Sequence, residues 1–154
     1  MRKLILSLVL VLSTMSFAVD RRVFIIEHRL SIDYNQVGLI ESGGKEKIIS
    51  KENAIGIMQI TLPTLKEYNT INHTRYTTRD LFDSIINKKI GIWLLDIRIP
   101  KYFIIAKIPN KLNYRLIAYN FGIGNTIKWY RKGHIYNNLP EETKNYLIKY
   151  WDKY

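Results

Sequence analysis

Apolar positions along this chain recur three and four residues apart, and no convincing run of period-two alternation competes with them, so the expected fold class is mainly α. From Ser31 to Ser42, Ile32, Gln36, Val37 and Ile40 fall at helix-compatible spacing behind a serine suited to cap the N-terminus, and Gly43-Gly44 ends the segment. Glu41 is thereby expected in the last turn of a helix, beside a glycine break. Ile55 to Asn69 reads as helical in two pieces, because Pro63 fits a first turn after Thr61 but not a helix interior. Thr78 to Ile99 is the longest amphipathic run, with Leu81, Ile85, Leu94, Leu95 and Ile99 among its apolar positions and Pro100 as its stop. Asn113 to Tyr119 and Glu142 to Trp151 complete the helices. No internal repeat, low-complexity stretch or Gly/Ser linker divides the chain, so one domain is expected.

The first residues depart from this pattern. Arg2 and Lys3 precede an apolar and small-residue run from Leu4 to Leu12, and Ser16-Phe17-Ala18 offers small residues at a cleavage site. Residues 1–18 therefore read as a secretory signal peptide cleaved after Ala18, with 19–154 as the mature domain. The apolar run is shorter than the roughly 20 residues of a spanning helix, which favours removal over retention as an anchor. An exported, periplasmic or cell-wall-associated protein is expected. There is no cysteine, hence no lipid-attachment site behind the leader and no disulfide, and the domain must be held by its core alone.

The formal net charge is +11, and losing Arg2 and Lys3 with the leader leaves +9. Such a charge suits nucleic acid, an anionic membrane face or an acidic polymer. Export argues against nucleic acid, whereas an anionic cell envelope fits both observations. Part of the excess reflects no more than an abundance of lysine, which solubility alone favours. His28, His73 and His134 lie far apart, without cysteine and without a His-x-x-x-His spacing, so neither a metal nor a cofactor is expected.

Candidate chemistry concentrates in two segments. The first opens with Glu41-Ser42-Gly43-Gly44 and continues through Ser50 and Asn53-Ala54-Ile55-Gly56-Ile57-Met58-Gln59-Ile60-Thr61; the second is Ala118-Tyr119-Asn120-Phe121-Gly122-Ile123-Gly124. A lone Glu near a helix end is ordinarily solvated. This long compound pattern, however, resembles the two signature motifs of the lytic murein transglycosylases with a goose-type lysozyme-like fold, and is closest to the short membrane-bound transglycosylase E type. The resemblance runs from about Ile32 to Tyr150.

By that resemblance Glu41 is the general acid and base, Ser42 helps orient it, and Gly43 lets the backbone turn into the cleft. Gly56, Met58 and Gln59 form the floor of a saccharide groove, Ser50 contacts substrate, and Tyr119 and Asn120 line the far side of the cleft. Asn87 and Gly91 match a structural Asn-x-x-x-Gly spacing. Pro140-Glu141-Glu142-Thr143-Lys144-Asn145-Tyr146 resembles the closing Glu-Thr-x-x-Tyr element, whose tyrosine, here Tyr146, reaches back toward the acid. Three positions depart from the pattern: Phe121 replaces a small residue, Lys88 an apolar one, and Glu52 a sugar-contacting serine.

The implied reaction cleaves the MurNAc-GlcNAc β-1,4 bond of peptidoglycan by attack of the sugar's own 6-hydroxyl, giving 1,6-anhydromuramyl ends. Apolar neighbours of Glu41 would keep its carboxyl protonated, as delivering a proton to the leaving oxygen requires. The rivals are a hydrolytic muramidase using Glu41 with Glu52, a non-catalytic peptidoglycan-binding assembly factor, and a basic membrane-active protein. The expected partner is the glycan strand, with a cell-envelope assembly or secretion apparatus as an open setting and a monomer as the expected state.

Overall fold

In the computed structural model, which describes residues 31–153, the apolar spacing resolves into seven α-helices among those residues: α1 (Tyr34–Ser42), α2 (Leu62–Asn72), α3 (Ser84–Trp93), α4 (Ile99–Ala106), α5 (Leu112–Phe121), α6 (Ile123–Arg131) and α7 (Glu141–Trp151). The leader expected over 1–18 lies outside them. Asp33–Tyr154 forms one unit, with no β-strand among its described residues beyond two isolated bridges. The chain is mainly α, as its spacing predicts. Helix α5 is the hub: it packs on α4, α6 and α7, and its buried Leu112, Leu116, Ile117 and Ala118 supply the centre of the core. Burying a side chain of that size stabilises by about 1.5–3 kcal/mol.

Helix boundaries follow local chemistry, with several departures from expectation. Helix α1 starts at Tyr34, not at Ser31, because Asp33 caps it, its carboxylate accepting from the N–H groups of Asn35 and Gln36. At the other end Gly43 adopts φ 65°, and the N–H groups of Gly43 and Gly44 close the last carbonyls on Leu39 and Gly38. Residues 55–60 are not helical. Ile55 and Ile60 exchange both backbone hydrogen bonds, at 3.0 and 2.9 Å, around a turn in which Gly56 and Gln59 have positive φ. The helix behind it begins at Leu62, with Thr61 as its cap and Pro63 in its first turn.

Nor does Pro100 stop the long amphipathic run. A π-helical segment, Leu94–Arg98, links α3 to α4, and the N–H of Ile99 reaches Leu94 across the wider turn. Proline lacks a donor and crowds the carbonyl four residues back, and a local widening accommodates both faults. The same segment carries Asp96, which pairs with Arg115 of α5 at 2.9 Å and accepts from Tyr34 of α1, and Arg98, which pairs with Glu67 of α2. Three helices are thus tied to one irregular turn.

Candidate active site

Glu41, Ser50, Gln59, Tyr119 and Asn120, drawn from α1, the 48–61 loop and α5, line one cavity of about 400 Å³, together with Glu52 and Glu142. Gln59, Tyr119 and Asn120 also border a second cavity of about 370 Å³, which runs past Thr64, Glu67, Phe121 and Ile123, so the groove extends well beyond the acid. A roomier cavity of about 470 Å³ elsewhere, lined by Tyr114, Trp129, His134 and Trp151 among others, holds no Glu; volume alone does not choose the site.

Glu41 has the chemistry of a proton donor. Burial pushes its pKa from 4.5 up to about 7; the Tyr146 hydroxyl pulls the other way, and the nearby charge of Glu142 raises it further. Tyr146 is 4 % exposed, and its hydroxyl is buried without any partner of complete hydrogen-bond geometry, poised beside the carboxyl it influences. Replacing Tyr146 by Phe removes the one influence that favours the Glu41 anion. The expected result is a higher Glu41 pKa, read as a shift of the alkaline limb of the activity profile to higher pH; a limb that stays put or moves down would contradict this arrangement.

The 48–61 loop is built around its own polar groups. Ser50 accepts from the N–H groups of Glu52 and Ala54, folding residues 50–54 into a tight turn on the rim. The Gln59 amide donates to the Gly56 carbonyl at 2.8 Å, leaving its own carbonyl oxygen for a ligand. Tyr119 donates to the Met58 carbonyl at 2.7 Å, and burial together with Glu41 holds its phenol well above the ordinary range. Asn120 accepts from Thr143 of α7, also at 2.8 Å, so its NH₂ group is the one left for substrate.

Four sequence candidates stand behind the cavity rather than on it. Ser42 is buried, and its hydroxyl lies 3.0 Å from the Gly38 carbonyl and 2.9 Å from that of Ile57, fastening the last turn of α1 to the loop. It therefore positions Glu41 through the backbone. Met58 is wholly buried, Gly56 is buried within the loop, and Tyr146 backs Glu41. Glu142 and Thr143 of the closing Glu-Thr-x-x-Tyr element also reach the site, where the resemblance assigns a role to its tyrosine alone. An exposed Glu in the first turn of α7 looks like an ordinary helix-dipole partner, and its place in the Glu-Thr-x-x-Tyr element, one turn before Tyr146, is the signal that points to more.

The family model described as Transglycosylase SLT domain matches residues 35–138, well over half of the chain, from the start of α1 to the turn before α7. No curated protein and no solved structure gave a match. The matched span carries Glu41, the 48–61 loop, Tyr119 and Asn120, while Tyr146 comes to the same place from outside it. The chain belongs to the transglycosylase SLT domain family and is a lytic transglycosylase acting on peptidoglycan.

Proposed function

We propose that the chain cleaves the MurNAc-GlcNAc β-1,4 bond without water, with Glu41 as both acid and base. The observation that carries this reading is a carboxyl largely removed from solvent, its pKa pushed up to about 7, in the wall of an extended groove. A protonated Glu41 gives its proton to the glycosidic oxygen as the bond to C1 of MurNAc breaks, and the muramic N-acetyl carbonyl shares the positive charge at C1. The resulting Glu41 carboxylate takes the proton of the same sugar's 6-hydroxyl while that oxygen bonds to C1. The products are a 1,6-anhydromuramyl end and a free GlcNAc 4-hydroxyl, with Glu41 protonated again. Holding the hydroxyl against C1 makes the attack intramolecular, the source of its advantage over a bimolecular step. Gln59, Asn120 and Ser50 are suited to the polar groups of the sugars, and the Tyr119 ring to an apolar face.

One observation favours a second reading. Glu52 is exposed and lines the same cavity as Glu41, where a carboxylate that activates water would serve hydrolysis. Mass spectrometry of the muropeptides released from purified peptidoglycan separates the two. Anhydromuramyl ends that disappear with Glu41→Gln support the first mechanism. Reducing-end muramic acid that disappears with Glu52→Ser supports hydrolysis, and no product from the wild-type chain would turn attention to a glycan-binding role. The leader read at 1–18 supports a site of action in the periplasm or cell wall, with a monomer as the working form.

A further inference from the structure

Beyond Phe121 the surface changes character. The two cavities of the cleft are bordered by Glu41, Glu52, Glu142 and Glu67, with no lysine or arginine among the residues lining either. This is unexpected for a chain with 24 Lys and Arg against 13 Asp and Glu. Phe121, half-buried at the end of α5, also borders a third cavity, of about 360 Å³, whose other walls are Asn125, Lys128, Trp129, Lys132 and Asn138. Asn125, Lys128 and Lys132 follow one another at spacings of three and four, so they share one face of α6 and its cap. Trp129 is the buried floor, its indole N–H donating to the Ile135 carbonyl. Among the described residues neither Lys128 nor Lys132 has an ion-pair partner. A helix C-terminus favours cations anywhere around its last turn. It does not explain why these two meet an aromatic ridge and two amide side chains in a groove that shares Phe121 with the cleft.

Peptidoglycan has the matching division of charge. Its sugars are neutral where they are cut, and its peptide stems, which branch from the lactyl group of each MurNAc, carry carboxylates. We propose that the groove between α6 and the 136–138 turn binds the carboxylate-bearing peptide stem of the glycan held in the cleft, with Lys128 and Lys132 as the cationic contacts and Phe121 as the ridge between sugar and peptide. Asn125 and Asn138 supply amide groups that suit a peptide backbone. Phe121, out of pattern among small residues, thereby marks the border between a glycan subsite and a peptide subsite. The inference rests on the proposed glycan cleft but not on the route of cleavage.

The test reads binding in a chain that does not cut. The Glu41→Gln chain is co-sedimented with purified sacculi, either intact or stripped of their peptides by an amidase, and compared with the same chain carrying Lys128→Ala and Lys132→Ala. The expected result is about three- to tenfold tighter binding to intact sacculi, the range of one or two exposed charge contacts. That advantage vanishes in the lysine variant and at high salt, is kept by Lys128→Arg with Lys132→Arg, and leaves binding to stripped strands unchanged. Equal affinity for the two substrates would overturn the proposal, as would an advantage that survives loss of both lysines. So would an advantage that persists on stripped walls still carrying phosphate polymers, which would assign the groove to phosphate. Because turnover is not measured, a wild-type chain that releases no muropeptide counts against the cleavage mechanism alone.

Discussion

Exchanging Glu41 for Gln lowers muropeptide release by about 10²- to 10⁴-fold, the usual worth of a positioned general acid-base group, and at the same time makes the protein more stable at alkaline pH. The two effects share one cause. Burial raises the Glu41 pKa from 4.5 to about 7, so the folded chain prefers the protonated carboxyl. Stability associated with that preference is fully present below about pH 4.5 and is lost as pH rises through about 7, where the folded chain must carry a poorly solvated anion. A shift of that size corresponds to roughly 3 kcal/mol. Glutamine has nearly the same shape and no charge to desolvate. Urea unfolding at pH 8 is therefore expected to show Glu41→Gln more stable than wild type by a few kcal/mol, with the difference close to zero at pH 4. Wild-type activity falls over the same interval as pH rises above about 7, because the acid form is the one that donates. A variant no more stable at pH 8 than at pH 4 would mean that Glu41 is solvated in the folded chain, and the acid would then have to be sought elsewhere.

The parts of this site that were legible beforehand are those set by short-range chemistry. A carboxylate followed by Gly43 at a helix end places Glu41 in a last turn, and the glycine's left-handed φ is the physical content of that signal. Thr61 and Pro63 mark the start of α2 just as directly. The failures are of another kind. Ile55, Ile57, Met58 and Ile60 look like a buried helical stripe, and Ala54 through Ile60, Gln59 apart, are indeed buried. They are held instead in a tight turn whose backbone groups bond to a side chain about thirty residues away, a contact that no local spacing can announce. Helix α6 is absent from the elements that spacing predicts: two glycines at its start disfavour a helix locally, yet Gly122 in the structure caps it and accepts from Thr126. Pro100 is expected to stop the long run and does not. What could not be read is that a π-segment absorbs it, because that solution depends on Asp96 and Arg98 finding partners on three other helices.

Asn87 is where the largest loss of stability is expected. Its side chain is wholly buried on α3. It donates to the carbonyls of Ile55 and Leu81, each at 2.8 Å, and accepts from the N–H of Met58, also at 2.8 Å. Gly56 has to be glycine for the same reason, since a Cβ there would lie 2.2 Å from the Asn87 amide nitrogen and 2.4 Å from the Leu81 carbonyl oxygen. Gly91, one turn along α3, admits Met58, whose sulfur would stand 2.5 Å from an added Cβ. The 48–61 loop is thus docked on α3 by one amide and two missing side chains. Asn87→Ala strands the Met58 N–H and the Leu81 carbonyl in the interior and leaves the Ile55 carbonyl with its bond from Ile60 alone; at about 1–3 kcal/mol for each orphaned group, the expected total is about 4 kcal/mol. Against the 5–15 kcal/mol of a typical domain this is a large fraction, and the unfolding midpoint should drop by about 10–15 °C. Activity should suffer even well below that midpoint. The Met58 carbonyl anchors Tyr119, the Ile57 carbonyl anchors Ser42 beneath Glu41, and Gln59 projects from the same turn. Asn87→Asp keeps the acceptor for Met58 and loses both donors, so its cost should match or exceed that of alanine at neutral pH and ease when the pH is lowered far enough to protonate the carboxyl. A loss below about 1 kcal/mol in Asn87→Ala would mean that water replaces all three bonds, and the loop would then owe its place to Met58 packing against Gly91.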